Sequence, residues 1–426
     1  MTARSPGRGT AAAVAALTAC LALTATQAAA APVPGGAAQG RGEVTPATRF
    51  YVDPHSKAAK QALADVRSGD FANAANMAKL ASWPQAAWFT EGTPQEVRTG
   101  VNTLVRRAGA VHRTPVLVAY NVPGRDCSQY SSGGAASSAA YRQWIDAFAA
   151  GIGDRSAVVV VEPDGLALLP KDCGPATDPT GELTATRVAD LAYAVKTLKA
   201  RPHTAVYLDA GNVQWRAVGD IAQRLLDAGV RQGDGFSLNV SNTHPTDHNA
   251  RYGTWIAECM WYATEGPAPA RGHTDWCASQ YYSAAAPNNS VNSADPATWR
   301  WTDAWFDQNA GTPPATALSH FVIDTSRNGL GAWTPEPGKY SGDPEPWCNA
   351  PGRGLGPRPT ADTGVPLADA YLWIKVPGES DGSCTRGTGG TVDPEYGIVD
   401  PPAGAWWPDQ VHGLARNAAP RLTFNR

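Results

Sequence analysis

The stretch Val158–Pro170, VVVVEPDGLALLP, decides the fold. Val158, Val159, Val160 and Val161 leave no polar position to face water, so they read as a strand covered on both sides, as in a parallel sheet. The run ends in Glu162 and Asp164, two carboxylates separated by Pro163. In barrels and open α/β sheets the carboxyl ends of the strands carry the active site, because the strands fix position while the loops are free to vary. Catalytic acids are therefore expected at this edge.

Outward from the Val run the same pattern repeats. Apolar runs AAWF (at Trp88), VLVAYNVP, AVYLDAG, FSLNVSN, HFVIDTSRNG and AYLWIKVPG alternate with helical patterns over 94–111, 141–152, 188–199, 221–226 and 406–417. With the Val run this makes seven strands, and strand–helix alternation specifies a parallel sheet with right-handed crossovers. The fold class is α/β, a single-domain, TIM-like barrel of seven parallel strands, one short of the usual eight.

A chain of 426 residues, 43% hydrophobic, can bury the core such a barrel needs. Its net charge of −3, without a long run of like charge, gives no reason to expect nucleic acid or a membrane as partner. Fifteen Trp against eight Phe is an unusual ratio for a core, so some indoles are expected to be surface platforms, for which sugar rings are natural partners.

Residues 1–31 read as an export signal: Arg4 and Arg8 precede an apolar stretch from Ala11 to Ala25, followed by small residues through Ala31. LTAC, ending at Cys20, resembles a lipoprotein processing site, but the apolar run continues past it and places cleavage near Ala30 or Ala31. Residues 32–45, rich in Pro and Gly, are expected to be disordered, and 46–426 to form the one folded domain of a secreted, monomeric protein. Without Cys20, six cysteines remain, an even number that in an exported chain implies three disulfides with the pairing open. None is spaced C-x-x-C. His244 and His248 share the segment HPTDH, but Pro245 interrupts the helix that would align them and no third ligand is evident, so no metal and no cofactor is expected.

Polar residues gather where the apolar runs end: Arg125 and Asp126, Glu162 and Asp164, Asp209, Asn239, Asp324 and Arg327, then Lys375, Glu379 and Asp381. Any one of these is an ordinary loop residue. Together at one barrel edge, with Trp nearby and neither phosphate loop nor metal signature, they point to hydrolysis of a glycosidic bond.

The set YNVPGRDC, VVVEPDGLA, YLDAG with Trp215, GFSLNVSN, FVIDTSRNG, WCN at Trp347 and WIKVPGESDG resembles glycoside hydrolase family 6, the cellulases, from about Trp88 to the end of the chain. The resemblance implies a distorted seven-stranded barrel and inverting hydrolysis of β-1,4-glucan, with cellulose as the partner. It assigns Asp164 as general acid, Asp126 as the carboxylate that raises its pKa, and Asp381 as base, with Asp126 acting through water as the other candidate. It places Trp88, Trp215 and Trp347 as stacking platforms, and Thr90, Asn212, Asn239, Lys375 and Glu379 as hydroxyl-binding positions. It pairs Cys127 with Cys173 and Cys348 with Cys384, which leaves Cys259 with Cys277.

The chain departs from the family at Asn212, where His is usual, and at Val218, where processive members often have Trp. Asn can hydrogen bond a sugar but cannot carry a proton. The segment from Asp381 to the last helix is also short, which implies an open cleft and internal cutting rather than release of cellobiose from chain ends. The alternatives are a cellobiohydrolase and a secreted glycan-binding protein without chemistry; the acids speak against the latter.

Overall fold

The computed structural model describes residues 43–174, 176–281 and 295–425. The expected export signal, Cys20 and residues 32–42 lie outside them; of the segment expected to be disordered, residues 43–45 are described, and Val44 packs partly buried against the core.

Seven strands form one parallel sheet in the order of the chain: β1 (Ala87–Phe89), β2 (Val116–Ala119), β3 (Ala157–Val161), β4 (Thr204–Asp209), β5 (Gly235–Leu238), β6 (His320–Asp324) and β7 (Ala368–Leu372). The sheet curls without a β7–β1 ladder. Its ends are joined by a backbone bond from Ala86 N to Trp373 O (3.0 Å) and by the Trp88 indole N–H donating to Ile374 O (2.8 Å).

The continuous Val runs are explained by two apolar environments. Val116, Val118, Tyr120, Val158, Val160, Ala205, Tyr207, Val322, Ala370 and Leu372 share a core inside the curl. The alternate residues, such as Leu117, Val159, Val161, Val206, Leu208, Phe236 and Ile323, pack against the surrounding helices. The inward series Ala205, Tyr207 continues to Asp209, and Val322 to Asp324, so the strand period itself delivers buried acids to the carboxyl-end edge.

Helices α1 (Lys57–Ser68) and α2 (Phe71–Ala81) precede the sheet; α3 (Pro94–Ala110), α4 (Ser138–Ile152), α5 (Glu182–Lys199) and α6 (Val218–Asp227) are the crossovers between β1 and β5. The start of α3 is written in TPQE: Pro94 at the first turn, Thr93 capping the Glu96 N–H, and the Glu96 carboxylate returning to Thr93 N. Helices α7 (Thr246–Thr264) and α8 (Arg300–Asn309) connect β5 to β6, and α9 (Pro408–Arg416) closes the chain against α1 and α2. The sequence reading missed α1, α2, α7 and α8. Pro245 does not interrupt α7 but caps it, leaving His244 before the helix and His248 in its first turn.

The disulfides are Cys127–Cys173, Cys259–Cys277 and Cys348–Cys384, the pairing the family resemblance implies. The first ties the loop after β2 to the loop after β3, and the last ties the loop after β6 to the loop after β7, so each braces a turn that carries an acid.

Candidate active site

The turn after β3 separates its two carboxylates. Glu162, wholly buried, accepts N–H bonds from Asn121 (2.9 and 3.0 Å) and Val122 (3.0 Å), fastening the end of β3 to the end of β2. Burial lifts its carboxyl to about 7 against those donated bonds. Asp164, two residues on, stands in the left-handed region at φ 65°, partly accessible, with its N–H donated to Asp209 Oδ1 (3.0 Å). A non-glycine residue at such a φ is strained, and strain of this kind gathers at functional sites.

Asp164 is raised well above the usual carboxylate range by burial, then by the negative charge of Asp209, then by Asp126 and Asp381, with Lys375 acting against them. The carboxylate expected to tune it, Asp126, therefore ranks behind Asp209. Asp209 is completely buried and is itself lifted to about 7 by burial, although Asp164 N, Gly211 N and Ser237 Oγ all donate to it.

Asp126 opens a turn in which Asp126, Cys127 and Ser128 have φ of 59°, 46° and 66°, held by the Cys127–Cys173 bridge. Its Oδ2 accepts from Ser131 N (2.7 Å) and Oγ (2.8 Å), and Ser131 Oγ lies 3.0 Å from the Tyr120 hydroxyl. Burial raises Asp126; the Ser131 bonds and Arg125 oppose it. Tyr120, under the charges of both Asp164 and Asp126, is pushed far up, chiefly by burial.

Asp381 lies in a different setting. Arg327 Nη1 donates to its Oδ2 (2.7 Å), Lys375 Nζ stands 3.0 Å from Oδ1, and Asn349 N donates to Oδ2 (2.8 Å). Burial would raise its carboxyl, but the charges of Arg327 and Lys375 and the donated bonds outweigh it and hold the group below the usual range. Gly382, next along, has φ 138°, and a Cβ there would meet the Tyr130 side chain at 2.4 Å.

The expected sugar platforms Trp88, Trp215 and Trp347 are each half-buried. Trp88 meets Tyr120 edge to face at 5.4 Å, and Trp347 stands 6.1 Å from Tyr130. The expected hydroxyl binders fare differently. Asn239 is fully buried, its amide donating to Asp324 O (2.9 Å) and His244 O (3.2 Å) while its Oδ1 accepts from His244 N, so it fastens loops and offers no free edge. Lys375 is committed to Asp381 and to Ser380 O (3.1 Å). Glu379 pairs with Lys57 of α1 (2.6 Å). The Asn212 Oδ1 accepts from Gln214 N (3.0 Å), a local turn. Thr90 is half-buried just beyond β1, and its carbonyl accepts from Arg125 (2.7 Å). Val218 is a fully buried core residue at the start of α6.

Sequence reasoning missed Asn349 and Ser131, and it named Asp209 and Arg327 only as edge residues. The signal for Asp209 was its place in the inward series of β4; Asn349 follows Cys348 directly but carries no spacing of its own.

An acid held protonated and a second carboxylate held ionised at one sheet edge is the pairing that inverting glycosidases use. The glycosyl hydrolases family 6 model matches residues 45–418. The chain belongs to glycosyl hydrolase family 6. As a member it is an inverting glycosidase of β-1,4-glucan, a cellulase. This family 6 chain is 36% identical over 347 residues to Endoglucanase 1 of Streptomyces halstedii, covering 80% of this chain and 84% of that one. It is 31% identical over 324 residues to a probable 1,4-β-D-glucan cellobiohydrolase C of Neosartorya fischeri, covering 72% of this chain and 62% of that one. Among solved structures, the endoglucanase Cel6 of Mycobacterium tuberculosis superposes with a TM-score of 0.63 at 34% identity, covering 87% of this chain and 97% of that one.

Proposed function

We propose that this family 6 enzyme is a secreted endoglucanase, cutting β-1,4-glucan internally, with Asp164 as general acid and Asp381 as the carboxylate on the water side. The observation that carries the roles is the opposite electrostatic treatment of the two acids. Asp164, among carboxylates, keeps the proton that the departing sugar oxygen must receive. Asp381, between Arg327 and Lys375, stays anionic and can accept a proton from the attacking water. The same two cations make Asp381 a weak base, and this favours a second reading. In it Asp126, raised by burial and joined to Tyr120 through Ser131, takes the proton through a water.

Trp88, Trp215 and Trp347 supply stacking faces for glucose units. Internal cutting is supported by the short loop after Asp381. It folds down on the preceding loop through Lys339–Glu395 (2.7 Å), the Tyr340–Glu395 contact and Arg386 donating to Cys348 O (2.6 Å). Export rests on residues 1–31 and on three disulfides, which persist in oxidising compartments. Viscometry tests the mode: carboxymethylcellulose should lose most of its viscosity before much reducing sugar appears. Slow viscosity loss with cellobiose as the dominant early product would make the enzyme a cellobiohydrolase.

A further inference from the structure

Beneath Asp381 lies a layer of buried polar groups that the reaction above does not use. Asn349 is wholly buried at φ 40°. Its N–H donates to Asp381 Oδ2 (2.8 Å), its Oδ1 accepts the Asp381 N–H (2.8 Å), and its Nδ2 donates to Asp400 Oδ2 (2.8 Å). The segment around Asp400 is laced to the residue before Asp381: Ser380 Oγ donates to Pro401 O (2.7 Å), Gly404 N donates to Ser380 O (2.9 Å), and Ser380 N donates to Ala405 O (2.9 Å). Asp381 therefore takes its position from a loop that Asp400 and Asn349 hold together.

Asp400 is 1% exposed, and its second oxygen, Oδ1, is buried without a hydrogen-bond partner. The carboxylate of Asp393, also fully buried, lies within 4.8 Å. Arg386 is committed to Asp393 (2.6 Å) and to the carbonyls of Glu345 (2.8 Å) and Cys348 (2.6 Å). An ionised Asp400 would put a second buried negative charge beside Asp393 and leave an oxygen with no donor, an arrangement that costs more than protonation. A protonated Asp400 carries its own donor.

We propose that Asp400 is a positioning residue for Asp381 that works as a carboxylic acid, sharing one proton with Asp393 and, through Asn349, fixing the Asp381 carboxylate against Arg327 and Lys375. The proposal rests on the reading of Asp381 as a reacting carboxylate. Burial and the charge of Asp393 raise Asp400 to about 7, while the Asn349 bond and Arg386 oppose the rise. The charged and titratable groups around it are Arg386, Asp393 and Tyr396 from its own loop, Glu345 across Arg386, and Asp381 beyond Asn349; α9 contributes Gln410, which is uncharged and donates to Asn349 Oδ1 (3.1 Å). When the shared proton leaves to solvent, two buried carboxylates face one guanidinium and the support under Asp381 loosens.

The native state keeps this proton where the unfolded chain has already lost it, from about pH 4 to about pH 7. Stability contributed by the pair is thus present below about pH 4, falls as pH rises through that window and is level above it. Asp400→Asn in the full-length enzyme tests this, because its amide N–H₂ supplies Asp393 with a donor at every pH while its oxygen still accepts from Asn349. The melting temperature of Asp400→Asn should gain on wild type as pH is raised from about 5 to about 8. The ratio of its kcat to that of wild type on soluble cello-oligosaccharides should rise several-fold over the same interval, with KM unchanged. Asp400→Ala, which has neither donor nor acceptor, should have reduced kcat at every pH. Parallel melting curves for wild type and Asp400→Asn would overturn the shared proton; a gain in melting temperature with a flat kcat ratio would overturn the positioning role. Wild-type kcat in Asp381→Asn would instead sink the reading of Asp381, and the melting comparison would still report on the proton.

Discussion

The edge at β3 and β4 and the edge at β6 and β7 carry the same kind of residue in opposite company. At the first, Asp164 faces Asp209 and Asp126, and burial together with their negative charge raises its carboxyl. At the second, Asp381 is clamped between Arg327 and Lys375 and stays ionised. Burial acts on both in the same direction, so the difference lies in the sign of the neighbouring charge. One residue type is thus pushed in opposite directions at one sheet edge.

The largest effect should come from breaking the acid side. Asp164→Ala should lower kcat on cello-oligosaccharides about 10²–10⁴-fold. It should retain far more of its rate on a dinitrophenyl cellobioside, whose leaving group departs without a proton. Asp381→Ala should slow both substrates alike, since water attack is needed whichever group leaves, and added azide should restore some rate. Equal losses for Asp164→Ala on the two substrates would remove it as acid.

Breaking the cationic side should cost stability first. Arg327 is 2% exposed, and Arg327→Met leaves Asp381 with the Lys375 charge and the Asn349 N–H, so denaturant unfolding should show a loss of about 3–5 kcal/mol. A loss under 1 kcal/mol would mean that the pair is not desolvated.

The smallest effect sharpens the contrast. Asp209→Asn removes the charge that most raises Asp164 after burial while preserving the bonds to Asp164 N and Gly211 N. The Asp164 carboxyl should fall, and because the acid must be protonated to work, the alkaline limb of the kcat profile should move to lower pH. A several-fold deficit near pH 8 with little change near pH 5 is expected; an unmoved limb would return the tuning role to Asp126.

The architecture was legible because strand identity is a local property: a run such as Val158–Val161 needs no partner to declare that both of its faces are dry. Of the helices that escaped, α1 and α8 bury too few apolar residues to show a stripe, α2 buries the short stripe Ala74, Met77 and Leu80, and α7 mixes polar residues and glycine into its buried face. In α1 the buried residues are Ala58 and Asp65, and α7 buries Asn249, Tyr252 and Gly253 alongside Trp255 and Ile256. In the site, the positions of the acids were visible at the strand ends, but their protonation was not. It depends on partners from other strands: Asp209 for Asp164, Arg327 for Asp381. The same reason separates Asn239 from the half-buried indoles: its amide is consumed by carbonyls of His244 and Asp324, a fate that no spacing within FSLNVSN encodes.

Because the sheet runs from β1 to β7 in the order of the chain, each strand finds its neighbour in the segment made just before it, and the seam of Ala86 and Trp88 with Trp373 and Ile374 joins the two ends. Assembly can therefore follow synthesis. The carboxylates that most raise Asp164, Asp209 and Asp126, are in place once β2, β3 and β4 have paired, whereas Asp381 meets both Arg327 and Lys375 only after β7 is in place. On the roles proposed above for Asp164 and Asp381, the capacity to cut glucan arrives with the loop that carries Asp381.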